Sequence, residues 1–335
     1  MNKIWIRKFG KSEILSIEEN NNQTNNIGPK EVKVDVYFSG INFADIIMRL
    51  GFYKDAPKKP FVPGYEFSGV IKETGSEVKN LKVGDKVYAG SLFGGYSSEI
   101  IIPSWMAVKL PDSMCLKEGA AIPVAFITSY AAIFDMARVR RGDSVLIDCA
   151  TGGVGIIMLQ MLNAIGANTV GLTSSIHKKD LIQSYGAKAH THEEFWSNKD
   201  IKNFDFILNS QGGSSIRKHY NRLAYTGRII CLGISSGIKS GKRDYIAIAK
   251  AALTMPKFNI ISMFDKNRGV YALNALKLME NTNYAKDNIK NFQKIEDLKL
   301  KPYIGKVFNY KEVSNAHRYI EERKGSGKIL LSWKE

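Results

Sequence analysis

One stretch narrows the folds open to this chain more than any other. Val145-Leu-Ile-Asp-Cys149 is an apolar run of strand length, Ala150-Thr151-Gly152-Gly153-Val154-Gly155 follows without a break, and an apolar helical pattern continues from Val154 to Ile165. A strand that turns through glycines straight into a helix fits the dinucleotide fingerprint G-x-G-x-x-G, with Ala150, Gly152 and Gly155 in the three glycine places. Gly152 lets the backbone approach a pyrophosphate with no Cβ between them, and Gly155 lets the helix pack closely on the strand. The N–H groups from Gly152 through Gly153 and Val154 to Gly155 then offer unpaired donors and a partial positive charge to phosphate. The same loop without a ligand is an ordinary tight turn, so the surrounding pattern decides. Thr169–Thr173, Phe204–Leu208 and Arg228–Leu232 read as strands, and Lys178–Tyr185 and Ile216–Leu223 as the helices between them. Strands alternating with helices of this length predict βαβ units, and therefore an α/β domain with a doubly wound parallel sheet.

That domain does not account for the whole chain. At 335 residues the chain is long for one core and suits two domains. Its first 110 residues or so lack the alternation: Val32–Phe38, Phe67–Glu73 and Lys86–Ala89 read as strands, separated by Gly28-Pro29, Pro57–Pro63, Gly84-Asp85 and Gly94-Gly95. This predicts a small irregular β domain. A helical apolar stretch from Gly119 to Ala137 leads into the glycine-loop region. Beyond it, helices near Val270–Glu280 and Lys311–Arg323 and a strand Lys328–Ser332 close the chain.

Apolar residues at 44% and charged residues at 24% are ordinary globular usage. No run is long and apolar enough to cross a bilayer, and the N-terminus lacks a signal-peptide core, so the expected location is cytoplasmic. Cys115, Cys149 and Cys231 are too scattered for a disulfide framework and are expected as reduced core thiols. The net charge of +16 permits attraction to phosphate-rich ligands, anionic membranes or nucleic acid. The basic residues are nevertheless spread out, with short clusters at Arg138-Val-Arg140-Arg141, Lys178-Lys179 and Lys239–Arg243, and no RNA-recognition motif accompanies them. Asn20–Asn26 reads as a polar, turn-prone loop.

The end of the second strand bears on which dinucleotide would bind. An NAD site usually offers Asp or Glu to the ribose 2′-hydroxyl there. Thr173-Ser174-Ser175-Ile176-His177-Lys178-Lys179 contains no acid, but two serines and two lysines. That favours a 2′-phosphate and hence NADPH, with Ser175 and Lys178 as the candidate contacts.

With these residues in hand, the chain resembles the medium-chain dehydrogenase/reductase superfamily, and in particular its zinc-free quinone oxidoreductases. The resemblance runs in order through Gly40-Ile-Asn42-Phe43-Ala44-Asp45, Gly51-Phe-Tyr53 and Pro63-Gly64-Tyr65-Glu66-Phe67-Ser68-Gly69. It continues through Val83-Gly84-Asp85-Lys86-Val87, Ala120-Ala121, Thr128-Ser129-Tyr130, the glycine loop with Gln160, and Gly325-Ser-Gly327-Lys328-Ile329. Asn42–Tyr53 and Tyr130–Gly155 are most similar to the branch of synaptic-vesicle amine-transport-protein homologues. The resemblance implies a GroES-like catalytic domain over 1–120, a Rossmann domain over 121–265, and a return to the catalytic domain over 266–335.

It also implies a chemistry. Zinc enzymes of the superfamily carry a catalytic Cys in the segment that here reads Ser39–Asn42 and a His where this chain has Tyr65. Tyr88–Pro111 contains none of the cysteines of a structural zinc lobe. No metal is therefore expected. Without a Lewis acid, alcohol oxidation becomes hard, whereas a quinone or enone already accepts hydride and needs only a hydrogen-bond donor for its oxygen. Tyr53 and Asn42 are the candidate catalytic donors. Tyr53, Thr128, Gly233, Met263 and Phe264 are assigned by the resemblance to the cofactor's surroundings. Glu66 is expected to organise the site floor and Asp148 to be a structural partner. Gap-free counting from Gly186-Ala187 puts Glu193, with His192 beside it, where zinc-free reductases tend to have a Tyr or His near the 2′-phosphate. A homodimer paired through sheet edges is implied, with Phe258–Met263 as the candidate edge. Two other roles stand beside the reductase: a membrane- or vesicle-associated nucleotide-binding protein with little turnover, and RNA binding through the basic surface.

Overall fold

A computed structural model describes residues 1–19, 26–237 and 253–334. Most of the polar run, Asn20–Asn25, and the basic cluster Lys239–Arg243 lie outside the described residues. In chain order the strands are β1 (Asn2–Ile6), β2 (Leu15–Glu19), β3 (Glu31–Ile41), β4 (Glu66–Thr74), β5 (Lys86–Gly90), β6 (Glu99–Pro103), β7 (Ala107–Lys109) and β8 (Ser144–Ile147). They continue with β9 (Asn168–Thr173), β10 (Lys188–Thr191), β11 (Phe204–Asn209), β12 (Leu223–Cys231), β13 (Gly269–Ala272), β14 (Ile304–Asn309) and β15 (Lys328–Ser332).

Six of them form one parallel sheet in the order β10-β9-β8-β11-β12-β13. This is the doubly wound order of a dinucleotide-binding fold, and the strand order reverses between β8 and β11. Both sheet faces are covered. Leu146, Ile207 and Ile229 pack against Phe195, Ile216 and Tyr220 on one side, while Ile147, Leu208 and Ile230 belong to the core that includes Phe126, Leu159 and Leu162 on the other. Neighbouring residues buried on opposite faces explain why these strands read as unbroken apolar runs.

The second sheet has seven strands along β14-β15-β3-β4-β5-β7, with β6 also paired to β3. Here one face is more deeply buried: Val32, Val34 and Val36 are fully buried, whereas Lys33, Asp35 and Tyr37 between them are not. The chain's last strand lies beside its third. β15 runs antiparallel to β3 with Ile329 opposite Ile41, and β14 runs parallel to β15. The expected α/β architecture, a Rossmann-type sheet beside a GroES-like β domain, is therefore the observed one.

Several local expectations fail for identifiable reasons. Phe258–Met263 is not an edge strand. Asn259 caps a short helix, Ile260–Phe264, through an Oδ1 that accepts the Ile261 N–H at 2.8 Å. The edge is instead β13, inside the segment read as the start of a helix at Val270. The helix begins only at Ala275, where the Asn274 side chain accepts the N–H groups of Leu276 and Lys277. The parallel sheet consequently extends past residue 265. Cys115 is exposed rather than a core thiol, because it stands at the N-cap of the helix Leu116–Ala121. Among the described residues no helix is long and apolar enough to cross a membrane.

Candidate active site

Strand register builds the catalytic side of the site. With Ile329 opposite Ile41 and Ser39 opposite Phe67, one further step along the ladders brings the ends of β15, β3 and β4 together. Those ends carry Lys328, Asn42 and Glu66. Lys328 Nζ lies 2.5 Å from Asn42 Oδ1 and 2.5 Å from Glu66 Oε1, and Asn42 Nδ2 donates to the same Glu66 oxygen at 2.8 Å. All three are buried. The other Glu66 oxygen accepts the Val124 N–H at 2.8 Å. Gly40 makes room for this carboxylate, since a Cβ there would collide with it and with the Ala120 carbonyl.

Asn42 also begins the helix Phe43–Leu50. The Asp45 carboxylate accepts its backbone N–H at 2.8 Å, the return half of a capping box. Asp45 is buried, accepts the Gly64 N–H at 3.2 Å, and takes the Tyr96 hydroxyl at 3.3 Å; that hydroxyl in turn lies 3.2 Å from His317 Nε2. Burial pushes the Asp45 carboxyl up to about 7, against the two backbone N–H groups and the Lys328 charge.

Tyr53 follows this helix and packs with Ile46, Leu50 and Ile234. Ile234, which follows β12, belongs to the same cluster. The Tyr53 hydroxyl interacts with that of Tyr65, which occupies the position of the expected zinc-ligand His and whose own hydroxyl donates to Met48 Sδ at 3.8 Å. Burial holds both phenols above the usual tyrosine range. They are therefore protonated donors at neutral pH.

The nucleotide side lies at the carboxyl ends of β8, β11 and β12. Gly153–Ile165 is the helix, Gly152 is its N-cap, and a Cβ on Gly155 would collide with the Cys149 and Ala150 carbonyls. The first N–H groups of a helix have no intrahelical acceptor. The cradle thus has the free donors and backbone clearance that a pyrophosphate requires. Asp148 organises the neighbouring loop: its carboxylate accepts the Ser210 N–H and the Asn209 Nδ2, each at 2.7 Å. Burial lifts this carboxyl to about 6. Gly233 lies in the following β12 loop, and Thr128 precedes Ser129, whose hydroxyl reaches the Val154 carbonyl at 3.3 Å.

A return segment crosses over the loop. Gly327 N–H donates to the Thr151 carbonyl at 2.7 Å, and Gly152 and Gly327 form a parallel bridge. Lys178 is engaged with this segment: its Nζ donates to the Gly325 carbonyl at 2.7 Å and the Arg323 carbonyl at 3.1 Å. Lys179 pairs with Glu194 at 2.9 Å. Glu193 is exposed, whereas His192 is half-buried beside Gln211 at 3.3 Å, its basicity lowered by burial and by Arg323. The Arg323 guanidinium donates to the Ser235 carbonyl at 3.1 Å. Ser175 lies half-buried at the start of the turn Ile176–Lys178.

Lys328 therefore links Asn42 to the glycine loop, its ammonium at the Asn42 oxygen and its stem beside Gly153, while Tyr53 packs in a cluster with Ile234. Met263 and Phe264 are brought to neither. Their helix leads to the amino end of β13, Met263 packs on a sheet face and Phe264 is 70% exposed. Sequence reasoning missed Arg323 and the role of Lys328. The one available signal was a lysine opening an otherwise apolar strand. A separate cavity of about 690 Å3, lined by Arg138, Arg140, Asp143, Asp205 and Arg228 among others, lies toward the amino ends of the parallel strands. Ligands of such sheets bind at the carboxyl ends.

Residues 28–112 match the alcohol dehydrogenase GroES-like domain, and residues 180–331 match the zinc-binding dehydrogenase family. The chain is 32% identical over 312 residues to the synaptic vesicle membrane protein VAT-1 homolog of Danio rerio, covering 90% of this chain but only 64% of that protein's length. It is 30% identical over 316 residues to quinone oxidoreductase-like protein 2 of Mus musculus, covering 92% of this chain and 86% of the relative. Among solved structures, Escherichia coli quinone oxidoreductase complexed with NADPH superposes with a TM-score of 0.85 at 24% identity, over 99% of this chain and all of that one. The human VAT-1 homolog-like protein superposes at 0.84 with 23% identity, over 100% and 98% of the two chains.

Proposed function

The chain belongs to the medium-chain dehydrogenase/reductase superfamily, and from that premise we propose that it is a zinc-independent, NADPH-dependent reductase of a quinone or an α,β-unsaturated carbonyl. The observation that carries the reading is the Lys328 chain that joins Asn42 to the glycine loop, its ammonium at the Asn42 oxygen and its stem against Gly153. A reduced nicotinamide bound there supplies the hydride. The protein's own groups do the rest. The N–H groups of Gly153, Val154 and Gly155 hold the pyrophosphate. Arg323 and His192, with Ser175, are the groups that would hold a 2′-phosphate, and Lys178 holds the Arg323 backbone in place.

On the acceptor side, Tyr53 donates a hydrogen bond, and where needed a proton, to the oxygen that gains charge. The reading without zinc rests on the donor set: position 65 is a phenol, and no cysteine stands between Tyr88 and Pro111. A homodimer joined through the β13 edge completes the proposal, since among the described residues no strand pairs with that edge. The name of the mouse relative and the fold of the NADPH-bound bacterial enzyme support this function. The test is NADPH oxidation, followed by absorbance, with a panel of quinones and enones. Turnover that survives a strong chelator is the expected result. NADPH binding without turnover of any acceptor would favour a nucleotide-binding role over catalysis.

A further inference from the structure

Lys328 is buried, charged and unused by the reaction as described so far. It is 4% exposed, and it closes a ring of three groups in which its ammonium meets both the Asn42 oxygen and Glu66, while the Asn42 nitrogen meets Glu66. Such a ring admits one orientation of the amide. Turning Asn42 over would set its N–H groups against an ammonium and its oxygen against a carboxylate, replacing two attractive contacts with two repulsive ones. Glu66 takes one of the two Asn42 N–H donors, and the second meets no acceptor among the described residues. The other end of the same side chain lies on the nucleotide loop. A Cβ on Gly153 would come 2.8 Å from Lys328 Cδ, and the preceding residue, Gly327, is bonded to Thr151.

We infer that Lys328 is a positioning residue: it holds the Asn42 amide in a single orientation and sets it in register with the glycine loop, so that cofactor side and acceptor side share one rigid link. The inference rests on the reading of Asn42 as an acceptor-side donor. Lys328→Met keeps the apolar stem that covers Gly153 and removes only the ammonium. With NADPH and menadione it is expected to lower kcat about 10- to 100-fold while NADPH affinity stays within about threefold, because a misoriented donor costs rate more than binding. Asn42→Ala is expected to cost a similar factor, and the double variant no more than the worse single one, as for two residues acting through one contact. Lys328→Arg should recover part of the rate.

Lys328→Met removes the counter-charge of the buried Glu66 carboxylate, so Lys328→Met/Glu66→Gln serves as the folded control and should show the same loss at near wild-type thermal stability. Multiplicative losses in the double variant, wild-type kcat in Lys328→Met, or a loss confined to NADPH affinity would overturn the inference. A second readout needs no turnover. In heteronuclear NMR, added NADPH should shift the Asn42 side-chain amide in wild type and not in Lys328→Met. Equal shifts in both overturn the inference even if no acceptor is reduced, whereas a shift lost in the variant alongside absent turnover rejects the reductase reading alone.

Discussion

Tyr53 and Asp45 are two ionisable groups a few residues apart whose surroundings give them opposite uses. Burial raises the Tyr53 phenol and keeps it a donor, so Tyr53→Phe is expected to lower kcat about 100-fold with NADPH affinity unchanged, as measured by steady-state kinetics and fluorescence titration. Asp45 faces Lys328, Glu66, Tyr65 and Tyr96 and stands at about 7, above the ordinary value of about 3.9. Between those values the native state keeps a proton that the unfolded chain releases, so this group's contribution to stability falls as pH rises. Asp45→Asn should therefore gain unfolding free energy relative to wild type from about pH 5 to about pH 8. Taking the difference cancels the opposite slope of His219, which burial lowers to about 3. A difference that stays flat over this range would show that Asp45 is already ionised in the fold.

At the scale of elements, the glycine loop and the return segment above it should answer to substitution differently. Gly153→Asp puts a carboxylate at the free N–H groups and against the Lys328 chain, and should weaken NADH and NADPH equally, by about 2–3 kcal/mol. Arg323→Ala removes one charge-assisted contact worth about 1.5–3 kcal/mol and should be felt by NADPH alone. Lys178→Ala should cost less, because its ammonium is spent on the Gly325 and Arg323 carbonyls. Calorimetric titration of both cofactors into the three variants separates these outcomes, and an unchanged NADPH preference in Arg323→Ala would remove Arg323 from the site. The strands β8, β9, β11 and β12 were legible because burial on two faces leaves continuous apolar runs. Phe258–Met263 misled for the same reason: an apolar run says nothing about whether Asn259 caps a helix first.

For the whole molecule, binding at a cleft between two sheets links ligand to fold. NADPH at 100 times its Kd should add about 2.7 kcal/mol to unfolding free energy, seen as a rise in Tm. The β13 edge and the helix beside it, with Ile261 72% exposed, should pair in a dimer. Light scattering at micromolar concentration is expected to give twice the chain mass, and Ile261→Glu a monomer. What the sequence determined by itself was local or periodic: the glycine turn, the strand–helix alternation, the missing zinc donors, and through them the α/β class. Helix, strand and phosphate cradle are set by neighbours in the chain, so their pattern survives in one dimension. Lys328 beside Asn42, 286 residues apart, and Arg323 beside Ser235 were decided only by tertiary structure. Their contacts come from the antiparallel register of β15 on β3 and from the return segment crossing the loop, and no periodicity records which distant strand will supply the partner of a buried charge.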